Sequence, residues 1–267
     1  MQESFESYLQ KSNLSKNTIQ AYLFSVEAFH AKFKEVNKKN LLAFKGYLTE
    51  NYNPKTVNLR IQGINKYLRF LNLGRLCLRT VRIQQRTYLE NVISNADYLF
   101  LCRQLKKKGE LKWYFVVRFL AATGARISEL LEIKVEHVHA GMLDIYGKGG
   151  KVRRIYFPRK LREEAEEWLR TEGRNSGYLF LNRFGGQITP RGISKQLKTL
   201  ARKYSMNLAV IYPHSFRHRF AKNFLEKHND VSLLADLMGH ESIETTRIYL
   251  RKTSSEQQEI VDSVVTW

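Results

Sequence analysis

Met142-Leu-Asp-Ile-Tyr-Gly-Lys-Gly-Gly-Lys-Val-Arg-Arg-Ile-Tyr-Phe157 holds the one clear β signal in the chain. Two short runs, 142–146 and 152–157, flank the glycine-rich turn Gly147-Lys148-Gly149-Gly150-Lys151, which is the pattern of a hairpin with lysines at its tip. On both sides of it apolar residues recur at spacings of three and four, the helical period. The predicted fold class is therefore mainly α (α+β): an amino-terminal bundle of four helices, then a mostly helical domain carrying one small sheet.

Working back from the hairpin, helical patterns cover 95–107 and 112–122. Thr123-Gly124-Ala125-Arg126 interrupts them before 127–131 resumes, which puts Arg126 at a helix junction. Residues 78–86, with Arg79, Arg82 and Arg86 and no sustained period, read as a basic linker. The first 80 residues read as all helix. Asn13 and Ser15 precede a run with Ile19, Tyr22, Val26, Phe29 and Phe33, and Asn53-Pro54 opens another with Val57, Ile61, Ile64, Leu68 and Leu71 before Gly74. Shorter helices fit 5–9 and 41–48. On the carboxyl side, Thr189-Pro190 starts a helix through Ile193, Leu197, Leu200 and Tyr204, and the remainder reads as helical. The expected domains are 1–80, a linker at 81–87, and 88–267.

The chain has 45 Lys+Arg against 25 Asp+Glu in 267 residues, a net charge of +20. That excess is the footprint of a protein that binds a polyanion, with nucleic acid the first candidate. Residues 1–80 alone hold 13 Lys+Arg and 5 Asp+Glu, so each domain has charge enough to touch phosphates. Lys55, Arg60, Lys66 and Arg69 lie off the apolar stripe of the 54–71 run and are the candidate contacts there, the alternative being a merely solvated face. The longest apolar stretch, 113–122, is interrupted by Arg118 and is too short for a membrane span, which takes roughly 20 residues. The chain opens on the polar Met1-Gln-Glu-Ser, with no secretory signal. Cys77 and Cys102 form neither a disulfide framework nor a Cys-x-x-Cys metal site. A cytoplasmic location is expected.

Two further stretches carry chemistry: Pro-His-Ser-Phe-Arg-His (213–218) and Leu-Met-Gly-His-Glu-Ser-Ile-Glu-Thr-Thr-Arg-Ile-Tyr (237–249). His214 and Arg217 share a helix face, and Gly239 is placed to end a short apolar helix just before His240. Arginine stays protonated and offers a fork that matches two phosphate oxygens, so Arg126 and Arg217 suit a clamp on a pentacoordinate phosphorane. They cannot be the acid. A lysine titrates more readily when buried, and Lys148 at the hairpin tip is the better proton donor to a leaving oxygen. Tyr249 attacks only if its proton is removed or its anion is stabilised by nearby cations. Glu241 and Glu244 lack the carboxylate partners of a two-metal nuclease. A covalent mechanism without metal or other cofactor is the expectation.

At these residues the chain resembles the tyrosine recombinases of the phage-integrase and Xer type. Four motifs carry the resemblance: Thr-Gly-Ala-Arg-Ile-Ser-Glu-Leu (123–130), Gly-Lys-Gly-Gly-Lys (147–151), Pro-His-Ser-Phe-Arg-His, and Met-Gly-His-Glu-Ser-Ile-Glu-Thr-Thr-Arg-Ile-Tyr (238–249). It covers nearly the whole chain, since the four-helix module resembles the family's SAM-like core-binding domain. By motif it implies Arg126 and Arg217 as phosphate clamp, Lys148 as general acid, and His214 as the second-position histidine. It further implies His240 as a phosphate donor, Tyr249 as nucleophile and Glu129 as a partner positioning the site. Lys151 is then a DNA-backbone contact. Phe216 stands where leucine is common and Arg219 where a small polar residue is common. There is no room before Phe5 for an arm-binding module, which implies a compact enzyme acting on double-stranded DNA with inverted-repeat core sites. The resemblance also implies a homotetramer, a 3′-phosphotyrosyl intermediate and a Holliday junction, with no ATP.

Two other classes fit parts of the pattern: a type IB topoisomerase that relaxes one duplex, and a non-catalytic DNA-binding regulator. Singly, His240 could cap a helix and Tyr249 could be core. His218 reads as structural. Ser254-Ser255-Glu256-Gln257 resembles a capping box for a carboxyl-terminal helix with Ile260, Val261, Val264 and Val265, an apolar tail suited to oligomerisation.

Overall fold

The computed structural model describes residues 4–83, 91–146, 152–240, 242–250, 254–265 and 267. Lys148, Lys151, Glu241 and the hairpin turn lie outside the described residues. The chain divides into two compact units, Met1–Gln85 and Arg86–Trp267.

Among its described residues the first unit holds four α-helices, α1 (Phe5–Lys11), α2 (Lys16–His30), α3 (Lys38–Asn51) and α4 (Pro54–Phe70), followed by a 3₁₀ turn, Gly74–Leu76. Each α-helix starts on a side chain that accepts a backbone N–H of the first turn, from Ser4, Ser15, Asn37 and Asn53 respectively. Phe29, Leu41, Phe44, Leu48, Val57, Ile61, Ile64 and Leu68 form its core. Phe33 falls beyond the end of α2 but still packs against that core. The segment read as a linker begins later than 78, because two asparagines of α4 hold its first residues. Asn65 pairs its side-chain amide with both backbone groups of Leu78 at 2.7 and 2.8 Å, and Asn58 does the same for Val81 at 2.8 and 2.9 Å. Residues 84–87 of the expected linker lie outside the described residues.

The second unit is built on α6 (Leu111–Thr123), whose Phe115, Val116, Val117, Phe119 and Leu120 are buried. This apolar run is a core helix. Against it pack α5 (Asn95–Lys107), α9 (Arg159–Thr171) and α11 (Pro213–Lys227). Between α6 and the sheet come α7 (Ile127–Leu131) and α8 (Val135–Ala140). Strands β1 (Met142–Tyr146) and β2 (Val152–Tyr156) pair antiparallel, Leu143 opposite Ile155 and Ile145 opposite Arg153. Leu143 and Ile155 are buried, while Tyr146 and Val152 are exposed. Arg153 therefore stands on the inward face, where alternation calls for an apolar residue.

The chain continues through α10 (Pro190–Lys203, capped by Thr189), α12 (Val231–Met238) and α13 (Ile243–Arg247). A 3₁₀ turn, Ile248–Leu250, follows. The last helix is α14 (Ser254–Val264), and the side chains of the capping box expected at its start, at Ser254, Ser255 and Glu256, lie outside what is described. Ile260, Val261, Val264 and Val265 on this tail are exposed. Among the described residues no helix is long and apolar enough to cross a membrane.

Candidate active site

Helix α12 is the organising piece. It ends at Gly239 in the left-handed region at φ 61°, so its last carbonyls lack intrahelical partners and sit at the negative end of the helix dipole. Three guanidinium groups take three consecutive carbonyls. Arg153 Nε donates to Leu237 at 2.8 Å, Arg217 Nη2 to Met238 at 2.7 Å and Arg126 Nη2 to Gly239 at 2.9 Å. Gly239 also lies under Arg153, and a Cβ there would collide with that side chain.

Arg126 occupies the junction predicted from the break at 123–126, as the N-cap of α7. Its backbone N–H donates to Glu129 Oε2 at 2.7 Å and its Nη1 to Oε1 at 2.8 Å. Glu129 also receives Arg153 Nη1 on both oxygens at 2.6 Å. Burial opposes its ionisation, but the Arg153 charge and these bonds outweigh that and hold its carboxyl below the usual range.

Arg217 on α11 is only 3% exposed. Its Nη1 donates to the Gly124 carbonyl, which ties the end of α6 to the end of α12. Burial, with Arg126 and Arg153 close by, lowers its pKa to about 10, so it remains a cation at neutral pH. Its Nη2 also lies 3.0 Å from His240 Nε2. A guanidinium only donates, so Nε2 must accept, which puts the proton of a neutral imidazole on Nδ1. That N–H faces Thr246 Oγ1 at 2.8 Å. Burial, then Arg217, Arg126 and Arg153, push the His240 pKa down to about 4.

Tyr249 stands in the 3₁₀ turn, 6% exposed, among Ala221, Leu225, Leu234 and Met238. Its ring stacks on His240 at 6.2 Å between centroids. Its hydroxyl lies 3.2 Å from His218 Nδ1. Burial raises the phenol pKa, and the charges of Arg217 and Arg126 oppose that rise. His214, one turn before His218, keeps an exposed face, with ring centroids 6.4 Å apart. Partial burial, then Arg217 and Arg126, lower its pKa.

The structure thus brings Arg126, Glu129, Arg217, His240 and Tyr249 together, with His214 at the edge. Two participants were not singled out for the site from sequence. Arg153 could have been found as a charged residue on the inward face of a strand. His218, read as structural, contacts the tyrosine hydroxyl; it lies one turn from His214, which is the signal that would have flagged it. Among the described residues no group of three or more His, Cys, Asp or Glu side chains could hold a metal ion.

In the first unit the four basic residues of α4 have different surroundings. Lys55 and Arg69 are exposed. Arg60 lies 4.2 Å over the Phe24 ring and donates to the Ala21 carbonyl at 3.2 Å, and Lys66 sits 5.0 Å over the Tyr8 ring.

The model of the phage integrase family matches residues 87–256. Tyrosine recombinase XerA of Pyrococcus furiosus is 30% identical, over 97% of this chain and 92% of that protein. Among solved structures, XerH site-specific recombinase bound to difH substrate in a pre-cleavage complex superposes with a TM-score of 0.72 at 20% identity, covering 98% of this chain and 84% of that one. A lambda integrase dimer bound to a COC′ core site gives 0.73 at 13% identity, over 92% and 74%. These last two likenesses speak to the fold. The family match and the XerA identity settle the assignment: this chain belongs to the phage integrase family and is a tyrosine site-specific recombinase.

Proposed function

We propose that Tyr249 attacks a DNA phosphodiester, forming a 3′-phosphotyrosyl bond and releasing a 5′-hydroxyl, and that the 5′-hydroxyl of a partner duplex reverses the step. The observation that carries this reading is the convergence, on the end of α12 and beside the Tyr249 hydroxyl, of Arg126 and Arg217. Both are fixed by backbone carbonyls, so little reorganisation is needed when charge develops on a phosphorane. Because the covalent bond conserves the energy of the one it replaces, strand exchange proceeds without ATP.

In this mechanism Arg126 and Arg217 clamp the nonbridging oxygens. Lys148, on the hairpin, protonates the leaving 5′-oxygen, and Lys151 touches the backbone. His240 in its resting form presents a lone pair to Arg217. Donation from that nitrogen to phosphate requires a proton, which the anion itself favours by raising the imidazole pKa. His214 is the second-position histidine of the site, while the histidine against the Tyr249 hydroxyl is His218. Glu129 orients Arg126.

The amino-terminal unit is the core DNA-binding domain and the second the catalytic domain, both on double-stranded DNA with inverted-repeat core sites. A cytoplasmic homotetramer around a Holliday junction is the working assembly. The exposed apolar residues of α14 are the part of the chain suited to join protomers.

The test is a nicked duplex from which the cleaved end diffuses away, trapping the adduct. Wild type should accumulate covalent protein–DNA complex, and Tyr249→Phe should bind the same DNA and form none. An adduct of undiminished yield in Tyr249→Phe would remove the nucleophile from Tyr249.

A further inference from the structure

We propose that Arg153 is a positioning residue of the recombination reaction: it holds the Glu129 carboxylate, and through it the Arg126 guanidinium, in register with the end of α12. The proposal rests on the reading that Arg126 and Tyr249 carry the chemistry. It adds a residue that neither the motifs nor that mechanism invokes.

Arg153 lies on the inward face of β2, with its side chain 9% exposed. An arginine buried to that degree needs hydrogen-bond acceptors, and among the described residues Nη1 and Nε find them while Nη2 does not. Nη1 reaches both oxygens of Glu129 at 2.6 Å and Nε reaches the Leu237 carbonyl at 2.8 Å. Arg126 grips the same carboxylate from α7 and takes the Gly239 carbonyl, while Arg217 takes Met238 between them. The two clamp arginines and Arg153 thus share one carboxylate and three adjacent carbonyls. Arg153 is the member that belongs to the hairpin, so it also fastens the strand that follows Lys148 and Lys151 to the helix end that precedes His240.

A purely structural ion pair would neutralise a buried charge and nothing more. The geometry here demands more, because Glu129 has a second client. Without Arg153 the carboxylate keeps, among the described residues, Arg126 as its immediate partner. Among the described residues, the other charged or titratable groups acting on this cluster are Arg217 and His214 from α11, His240 after α12, and Tyr249. Burial would then raise the Glu129 pKa. Protonation turns one Glu129 oxygen into a donor and removes the charge, so the carboxyl no longer takes the backbone N–H of Arg126 on one anionic oxygen and its guanidinium on the other, and Arg126 would swing from its aim. A misplacement of about 1 Å in such a group typically costs about 10²-fold in rate.

The experiment measures single-turnover adduct formation at saturating nicked DNA, from about pH 5 to about pH 8, alongside DNA affinity. Arg153→Met should bind DNA as wild type does, since the side chain is buried. It should cleave about 10²-fold more slowly at neutral pH and lose still more rate as pH falls, an acid limb beyond whatever wild type shows. Glu129→Gln/Arg153→Met should be slow at every pH with no such limb. Arg153→Lys, which keeps the charge on one donor atom, should be slower than wild type without the limb, and it decides the matter if Arg153→Met does not fold. An Arg153→Met or Arg153→Lys enzyme with wild-type rate would overturn the proposal. So would a slow Arg153→Met with the wild-type pH profile, or a double variant restored to wild-type rate. A wild-type protein that forms no adduct would instead overturn the underlying reading, and the proposal with it.

Discussion

At His240 the partner on Nε2 is a group that can only donate, and this fixes the tautomer and the charge of the resting imidazole. His218 is also held neutral, its pKa lowered to about 4 by burial, then by His214 and Arg217. Both folded-state values lie below the ordinary histidine value of about 6.5. Between those limits the unfolded chain binds more protons than the folded one, so the stability these two residues confer is complete above about pH 6.5 and is lost as pH falls through about 4. Solvent screening of the partly open site reduces the loss to on the order of 1 kcal/mol per histidine. Wild type should therefore lose more melting temperature than His240→Gln on going from about pH 7 to about pH 5, by about 2–4 °C. Parallel melting curves for the two proteins over that range would contradict the neutral assignment.

Among the elements, α12 and the hairpin matter most, and both depend on Gly239. Two separate demands fall on that residue, a φ of 61° and the Arg153 side chain against it. Gly173 has nearly the same φ, 62°, with nothing within 4 Å of an added Cβ. Gly173→Ala should thus show only the backbone cost, about 1 kcal/mol, while Gly239→Ala should cost about 1–3 kcal/mol more as the collision displaces Arg153. Denaturant unfolding measures both, and equal losses would mean that Arg153 yields without strain.

Much of the element map was legible because this chain marks its helix starts. Ser15, Asn53 and Thr189 all cap where the sequence places them. Helix α9 carries no such mark, since Pro158 precedes it and no side chain caps it, and at α8 the bond comes from inside the helix, the Lys134 N–H donating to His137 Nδ1. The motif residues were legible one by one. What could not be read is that Arg126 and Gly239, 113 residues apart, share a hydrogen bond, because helical periodicity reports a face and not its neighbour. His218 was given a structural role for the same reason: its contact is with Tyr249, 31 residues away.

On the scale of the whole molecule, charge is the property that both units share, +20 in total. Of the α4 residues expected to meet phosphate, Lys55 and Arg69 are exposed, while Arg60 and Lys66 rest on aromatic rings of their own unit. Lys55→Ala/Arg69→Ala should therefore weaken DNA binding and flatten its logarithmic salt dependence by up to about 0.9 for each phosphate no longer neutralised. Arg60→Ala/Lys66→Ala should leave that slope closer to wild type and act more on the unit's stability. Salt titrations of DNA affinity separate the two pairs, and an unchanged slope in Lys55→Ala/Arg69→Ala would mean that this face of α4 is only solvated.

All of this turns on which atom becomes bonded to DNA. The most direct measurement is mass spectrometry of the adduct trapped on a nicked duplex, after digestion of protein and DNA. The expected product is a single modified peptide, with a nucleotide 3′-phosphate esterified to Tyr249 and a free 5′-hydroxyl on the released strand. A nucleotide found on any other residue, or attached through its 5′-phosphate, would contradict the assignment of Tyr249 as the nucleophile.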